Sequence, residues 1–111
     1  MASHKIERIE SDIIKYLGNI LQTKTRDELL KTITLTEVIV SKDLCIAKVY
    51  FTSISDMTHE EVTKEVNEAS AFLRGKLAEC LDIRIIPELR FIYDDRIEYM
   101  NHLEEVFKSI K

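Results

Sequence analysis

The amino-acid sequence predicts an α+β fold, ordered α-β-β-α-β-α around a three-stranded mixed sheet. Three observations carry this expectation. Apolar residues recur at steps of three and four at the start of the chain. Two runs rich in β-branched residues follow, joined by a short polar link. A long helical pattern then separates the second run from a third.

Ile6, Ile9, Ile13, Leu17, Ile20 and Leu21 form one stripe, so a helix is expected over residues 4–22. Lys5, Arg8, Asp12 and Lys15 lie off the stripe, and Gly18 weakens the last turn. Lys24 to Lys31 is polar and reads as a short helical turn or a loop. Thr32 to Val40 reads as the first strand. Ile33 and Leu35 are in one phase, Val38 and Val40 in the other. A strand keeps its faces only with a period of two, so a bulge is expected at Thr36–Glu37. Ser41-Lys42-Asp43 makes a tight connection to an antiparallel strand from Leu44 to Thr52. Cys45, Ala47, Val49 and Phe51 should face the core, with Lys48, Tyr50 and Thr52 opposite.

Thr58 and Glu61 have the spacing of a capping box and start the next helix. Its apolar face is Val62, Val66, Ala69, Leu73, Leu77 and Leu81. About 25 residues of straight helix would span ~37 Å, awkward over three strands. The small residues Ala69-Ser70-Ala71 and Gly75 mark where it should bend or break. From Ile83 to Tyr93, the residues Ile85, Leu89 and Phe91 alternate with Arg84, Glu88 and Arg90, giving a third strand. Pro87 cannot donate to a ladder, which puts this strand at an edge. The helical crossover makes it parallel to the second strand. Asp95 and Glu98 repeat the capping spacing. Ile97, Met100, Leu103, Phe107 and Ile110 then predict a last amphipathic helix.

At 111 residues the chain is read as a single domain, residues 1–111. Its 45% hydrophobic content fills a core without staples. Only 2 Gly and 1 Pro favour long elements and short loops. No apolar run reaches the ~18 residues of a membrane span. The charged start, MASHKIERIESD, has no apolar signal region. The expectation is a soluble cytoplasmic protein that is a monomer when free. Cys45 and Cys80 are far apart in apolar patterns, so they are expected to be free and buried in a reducing compartment.

The net charge is −4. Asp56 to Glu68 holds five of the 20 acids and one of the 16 bases, so that segment accounts for all of it. A local basic face is compatible with an acidic total, because phosphate contacts act within a Debye length of ~8–10 Å. His4, His59 and His102 are scattered without metal-ligand spacing, and no phosphate-binding glycine loop or nucleophile elbow occurs. Asp94-Asp95 with Glu98 is explained by a helix N-terminus. The reading is a non-enzyme without cofactor or metal.

Val40-Ser-Lys-Asp-Leu-Cys-Ile-Ala-Lys-Val-Tyr-Phe51 resembles the V-S-x-D-L-x-x-A-x-V-Y strand pair of the ribosome-binding factor A family. Glu68-Ala-Ser-Ala-Phe-Leu-Arg74 followed by Pro87-Glu-Leu-Arg-Phe91 is similar to that family's helix and third strand, and Arg8 before the Ile stripe fits too. The resemblance covers about residues 4–108. It implies a type II KH-like fold. It also implies an RNA-binding assembly factor acting in late maturation of the bacterial small ribosomal subunit, near the first helix of its RNA. That role is tied to rRNA processing and growth in the cold. The implied partners are the small subunit, its RNA and ribosomal proteins, with no membrane. One position departs from the family. Its helix bends at Ala-x-Gly, whereas Ala71 here replaces the Gly and is the better helix former by ~1 kcal/mol.

Arg74, Lys76, Arg84 and Arg90 flank the bend and the edge strand and are the leading phosphate-contact candidates. The competing reading is a solvated face with cross-strand pairs to Glu88. Lys42, Lys48, Lys5 and Arg8 form a second tier. Tyr50 is either a base-stacking platform or half-buried sheet surface. Ser70 either bonds RNA at the bend or bonds back to a helix carbonyl. The acidic stretch 56–68 reads as a solvated helix start. As a docking surface for a basic ribosomal protein, it would instead make the chain a non-catalytic protein–protein adaptor using its KH-like sheet.

Overall fold

A computed structural model describes residues 2–96, with side chains from Lys5 onward. The expected last helix, Ile97 to Ile110, lies outside these residues, as does Glu98 of the Asp95–Glu98 capping pair.

The first helix, α1 (Ala2–Thr23), buries the predicted stripe at Ile9, Ile13, Leu17, Ile20 and Leu21. Its last carbonyls find local partners. Thr23 Oγ1 donates to Asn19 O at 2.8 Å and Thr25 Oγ1 to Leu21 O at 3.1 Å. A 3-10 turn at Leu30–Thr32 leads into β1 (Ile33–Val40).

β1 pairs antiparallel with β2 (Ile46–Ser53). Leu35 stands opposite Phe51 and Glu37 opposite Tyr50, so Thr36 is the extra residue of a bulge. The bulge corrects the phase change seen in the sequence and lets Ile33, Val38 and Val40 all point into the core. In the hairpin turn, Asp43 Oδ1 accepts from the Ser41 hydroxyl at 2.6 Å and from the Cys45 N–H at 3.1 Å. Leu44 beside it has φ 62°, a left-handed conformation costing about 1–2 kcal/mol in an L-residue.

The long helical pattern is two helices, α2 (His59–Glu68) and α3 (Ser70–Ala78), broken at Ala69. Thr58 caps α2, its Oγ1 accepting from the Glu61 N–H at 3.1 Å. β3 (Glu88–Tyr93) runs parallel to β2, giving the order β1-β2-β3 with β3 at an edge. The helices cover one sheet face. Val62, Val66, Leu73 and Leu77 join the α1 stripe against Ala47, Val49, Phe51, Leu89 and Phe91.

Three boundaries differ from the sequence reading. β3 starts at Glu88, not Ile83, because Pro87 is buried ahead of the strand and the first ladder bond is Glu88 N–H to Cys45 O at 2.8 Å. Ile85 is consequently exposed in the connection rather than directed into the core. β2 starts at Ile46, leaving Cys45 in the turn, and α3 ends at Ala78, leaving Cys80 beyond it. Both cysteines are free as expected but exposed, which overturns their predicted burial.

Helix side chains take backbone groups at both sheet edges. On β1, Glu10 Oε2 accepts from the Val40 N–H at 2.7 Å, and Gln22 Nε2 donates to Ile33 O at 3.4 Å. On β3, Glu88 and Asp94 donate their N–H groups to β2, so alternation turns the backbone N–H and C=O of Phe91 to the sheet edge. There Asn67 takes both of its backbone groups.

Candidate nucleic-acid interface

The break places α3 beside the segment that leads into β3. Ala69 has φ −88° and ψ 0°, a conformation open to any L-residue, and its N–H is shared between Glu65 O (3.3 Å) and Val66 O (3.1 Å). No glycine is needed there, so Ala71 in place of Gly leaves the break intact. Past the break, Ala71, Arg74, Gly75 and Ala78 face Arg84, Ile85 and Ile86 across an open groove of about 510 Å³. Its walls are small or apolar and its two charges are guanidinium groups.

Arg74 is fixed in this groove. Its Nε and Nη2 donate to Ile86 O at 3.1 and 2.6 Å, which leaves its other N–H groups for a ligand. Arg84 is exposed and has no ion pair among the described residues. The connection continues into a second cleft of about 350 Å³, where Lys5, Arg8, Ile9 and Asp12 of α1 face Leu81, Asp82 and Ile83. Lys5 and Arg8 also have no carboxylate partner among the described residues. Residues 81–86 thus line both clefts, with two cations in each and Asp12 and Asp82 in the second. Ser70, the first residue of α3, is half-buried and its hydroxyl has no protein partner among the described residues, so it does not bond back to a carbonyl.

The other candidates are elsewhere. Lys76 lies 3.7 Å from Glu79 Oε2 in a cleft with Asn19, Ile20 and Lys24 on the α1 side of α3. Lys48 and Arg90 are register partners on the uncovered sheet face. Arg90 Nη2 lies 3.6 Å from Glu88 Oε2, the partner the competing reading named but on its own strand rather than across strands, in an exposed pair contributing under ~1 kcal/mol. Lys42 is exposed in the β1–β2 turn. The four leading candidates therefore do not share one surface: Arg74 and Arg84 meet, while Lys76 and Arg90 stand apart.

Tyr50 is covered. The Arg96 guanidinium lies 5.6 Å from its ring centroid, held by Glu37 Oε1 at 2.8 Å and by Asp94 Oδ1 and Oδ2 at 2.9 and 2.8 Å. That contact takes a ring face which base stacking would need.

Sequence reasoning missed Ile85, Arg96 and Asn67. Asn67 carried a readable signal, as a poor helix former placed inside a helical pattern. Ile85 was misassigned with its strand, and Arg96 acts only through its spatial neighbours.

Among the described residues, no cluster of three or more His, Cys, Asp or Glu is placed to hold a metal ion. No described helix is long and apolar enough to cross a membrane.

Residues 5–107 match the family model described as ribosome-binding factor A. A protein of that name from Francisella philomiragia is 36% identical over 103 residues, covering 93% of this chain and 72% of its own length. The crystal structure of ribosome-binding factor A from Thermus thermophilus superposes with a TM-score of 0.70 at 24% identity, covering 79% of this chain and 94% of that one. A Thermus thermophilus homology model fitted into a cryo-EM map of a 30S complex superposes at TM-score 0.66 and 24% identity, covering 78% and 92%. The architecture is KH-like, and with nearly its whole length matched, the chain belongs to the ribosome-binding factor A family.

Proposed function

We propose that this chain is a non-catalytic assembly factor that binds the RNA of the small ribosomal subunit during its late maturation. The observation that carries the reading is the α3 groove, where Arg74 and Arg84 stand over small and apolar walls. Guanidinium groups contact phosphates and position a strand without reading its sequence. Lys5 and Arg8 extend this surface along the 81–86 connection. Lys42, Lys48 and Arg90 form a separate contact on the turn and uncovered sheet face, and Lys76 contributes from the α1 side. Ser70 offers an unclaimed hydroxyl at the break. Membership of the family supports the reading, as does the 30S complex into which the Thermus protein was fitted.

Co-sedimentation with free small subunits and with intact ribosomes tests it, together with filter binding to naked small-subunit RNA at several salt concentrations. The expected result is preference for free subunits and affinity that falls steeply with salt. Binding to subunits without affinity for naked RNA, lost on charge reversal at Glu65 or Glu68, would instead favour the adaptor, with the acidic helix as its contact.

A further inference from the structure

We propose that Asn67 is the positioning residue of this interface. By holding the end of α2 to β3 it sets the angle of the break, and so the place of Arg74 and Arg84. The inference rests on the RNA-binding reading for its functional part.

The local sequence does not force a break. Ala69-Ser70-Ala71 contains no glycine or proline, Ala69 has a negative φ that requires no glycine, and alanine favours continuing a helix. The force must come from outside the segment. Asn67 Oδ1 accepts from the Phe91 N–H at 2.9 Å, and its Nδ2 donates to Phe91 O at 3.0 Å. Nδ2 also reaches Thr63 O at 2.9 Å, tying the amide to its own helix. Phe91 is a firm anchor, 3% exposed and edge-on to Phe51 at 6.2 Å. Beyond the break, Arg74 grips Ile86 O. Two side chains on either side of Ala69 therefore tie both helical arms to the 86–91 stretch. Buried Val66 and Leu73 press the same arms onto the sheet, but apolar contacts lack direction and tolerate sliding. The paired bonds of Asn67 do not.

The test uses the full chain with Asn67→Ala, Ala69→Gly and the double variant. Binding to naked small-subunit RNA is measured at several salt concentrations, with NMR contacts across residues 65–75 and melting temperature. Asn67→Ala is expected to weaken binding about tenfold, as a lost pair of hydrogen bonds would. The salt slope becomes shallower as well, because the displaced Arg74 and Arg84 lose their phosphate contacts. Helical i,i+4 contacts spanning Ala69 appear. Adding Ala69→Gly restores binding and removes those contacts, even though glycine lowers helix stability further. A residue that only stabilised the fold would behave oppositely, the double variant binding worse and melting lower. That outcome overturns the proposal, as does an Asn67→Ala variant with parental affinity and contacts. Should Asn67→Ala not fold, Asn67→Asp keeps the acceptor for the Phe91 N–H and loses the donor. It must then show a loss that Ala69→Gly rescues, and no rescue overturns the proposal. If the parent itself does not bind RNA, the functional reading falls, and the contacts across Ala69 still decide the role of Asn67.

Discussion

Thr36, the extra residue of the β1 bulge, donates its hydroxyl to Asp94 Oδ2 at 2.5 Å, just past the end of β3. The two edge strands of the sheet are thereby tied together, across the β2 strand that separates them. Asp94 is 4% exposed, and its own N–H closes the ladder on Phe51 O at 2.7 Å. Arg96 first, and Thr36 second, hold its carboxyl well below the usual carboxylate range.

A pH dependence follows from that relationship. A carboxyl whose folded value is depressed stabilises the fold above its unfolded value of about 3.9, and this contribution is lost as pH falls below it. Asp94→Asn should cost about 1–3 kcal/mol at neutral pH, because the Thr36 hydroxyl and Arg96 lose their charged acceptor. Its stability should then decline less than the parent's from about pH 5 downward. Urea unfolding at several pH values measures both.

The two groove arginines should separate in their effects. Arg84→Ala removes a solvated cation, so the salt slope of RNA binding should become shallower by about one unit with the melting temperature unchanged. Arg74→Ala should give the same change in slope and also free the 84–86 connection, since both of its bonds go to Ile86 O. Faster hydrogen exchange around Glu88 would report that loosening. Equal, parental slopes in both variants would remove the groove from the RNA interface.

Glu10 should matter more than a surface acid usually does. Its carboxylate accepts the Val40 N–H at the β1 edge, a charge-assisted bond worth about 1.5–3 kcal/mol. Glu10→Ala should lower the urea midpoint at unchanged m-value and speed exchange of the Val40 amide.

Gly75 offers the opposite change. A Cβ added there meets nothing within 4 Å, and the residue is inside α3. Gly75→Ala should raise stability by about 0.5–1 kcal/mol, measured by thermal unfolding. Gly75→Leu would project into the groove and should weaken RNA binding while leaving Arg74 and Arg84 in place.

The elements legible in the sequence were those fixed by short-range periodicity. The α1 stripe, the bulge at Thr36 and the Thr58 cap each follow from neighbours a few residues apart, and the break after Glu68 from the length of the helical pattern. The misread boundaries depended on distant partners. Whether Ile83 to Ile86 extends as strand or loops out is decided by where β2 begins to pair, and β2 begins only after the left-handed turn at Leu44. The cysteines were misplaced with those ends. The interface was half legible for the same reason. Arg74 and Arg84 flank one sequence feature and meet, whereas Lys76 and Arg90 flank it too but point to other faces. Side-chain direction in a broken helix depends on the angle of the break.

The pairing of Ile46 with Glu88 also bears on how the chain is made. The β1–β2 hairpin closes about six residues, whereas β3 must close roughly 40, an added entropic cost of about 2 kcal/mol. The hairpin and α1 are synthesised first and lack Leu73, Leu77 and Phe91 when they emerge. Until β3 arrives, one side of β2 presents open backbone in the middle of the future sheet, the kind of surface that recruits a stray strand from another nascent chain. Docking of residues 88–93 is thus expected to be the late folding step, and it is the step that brings Asn67 to its partner.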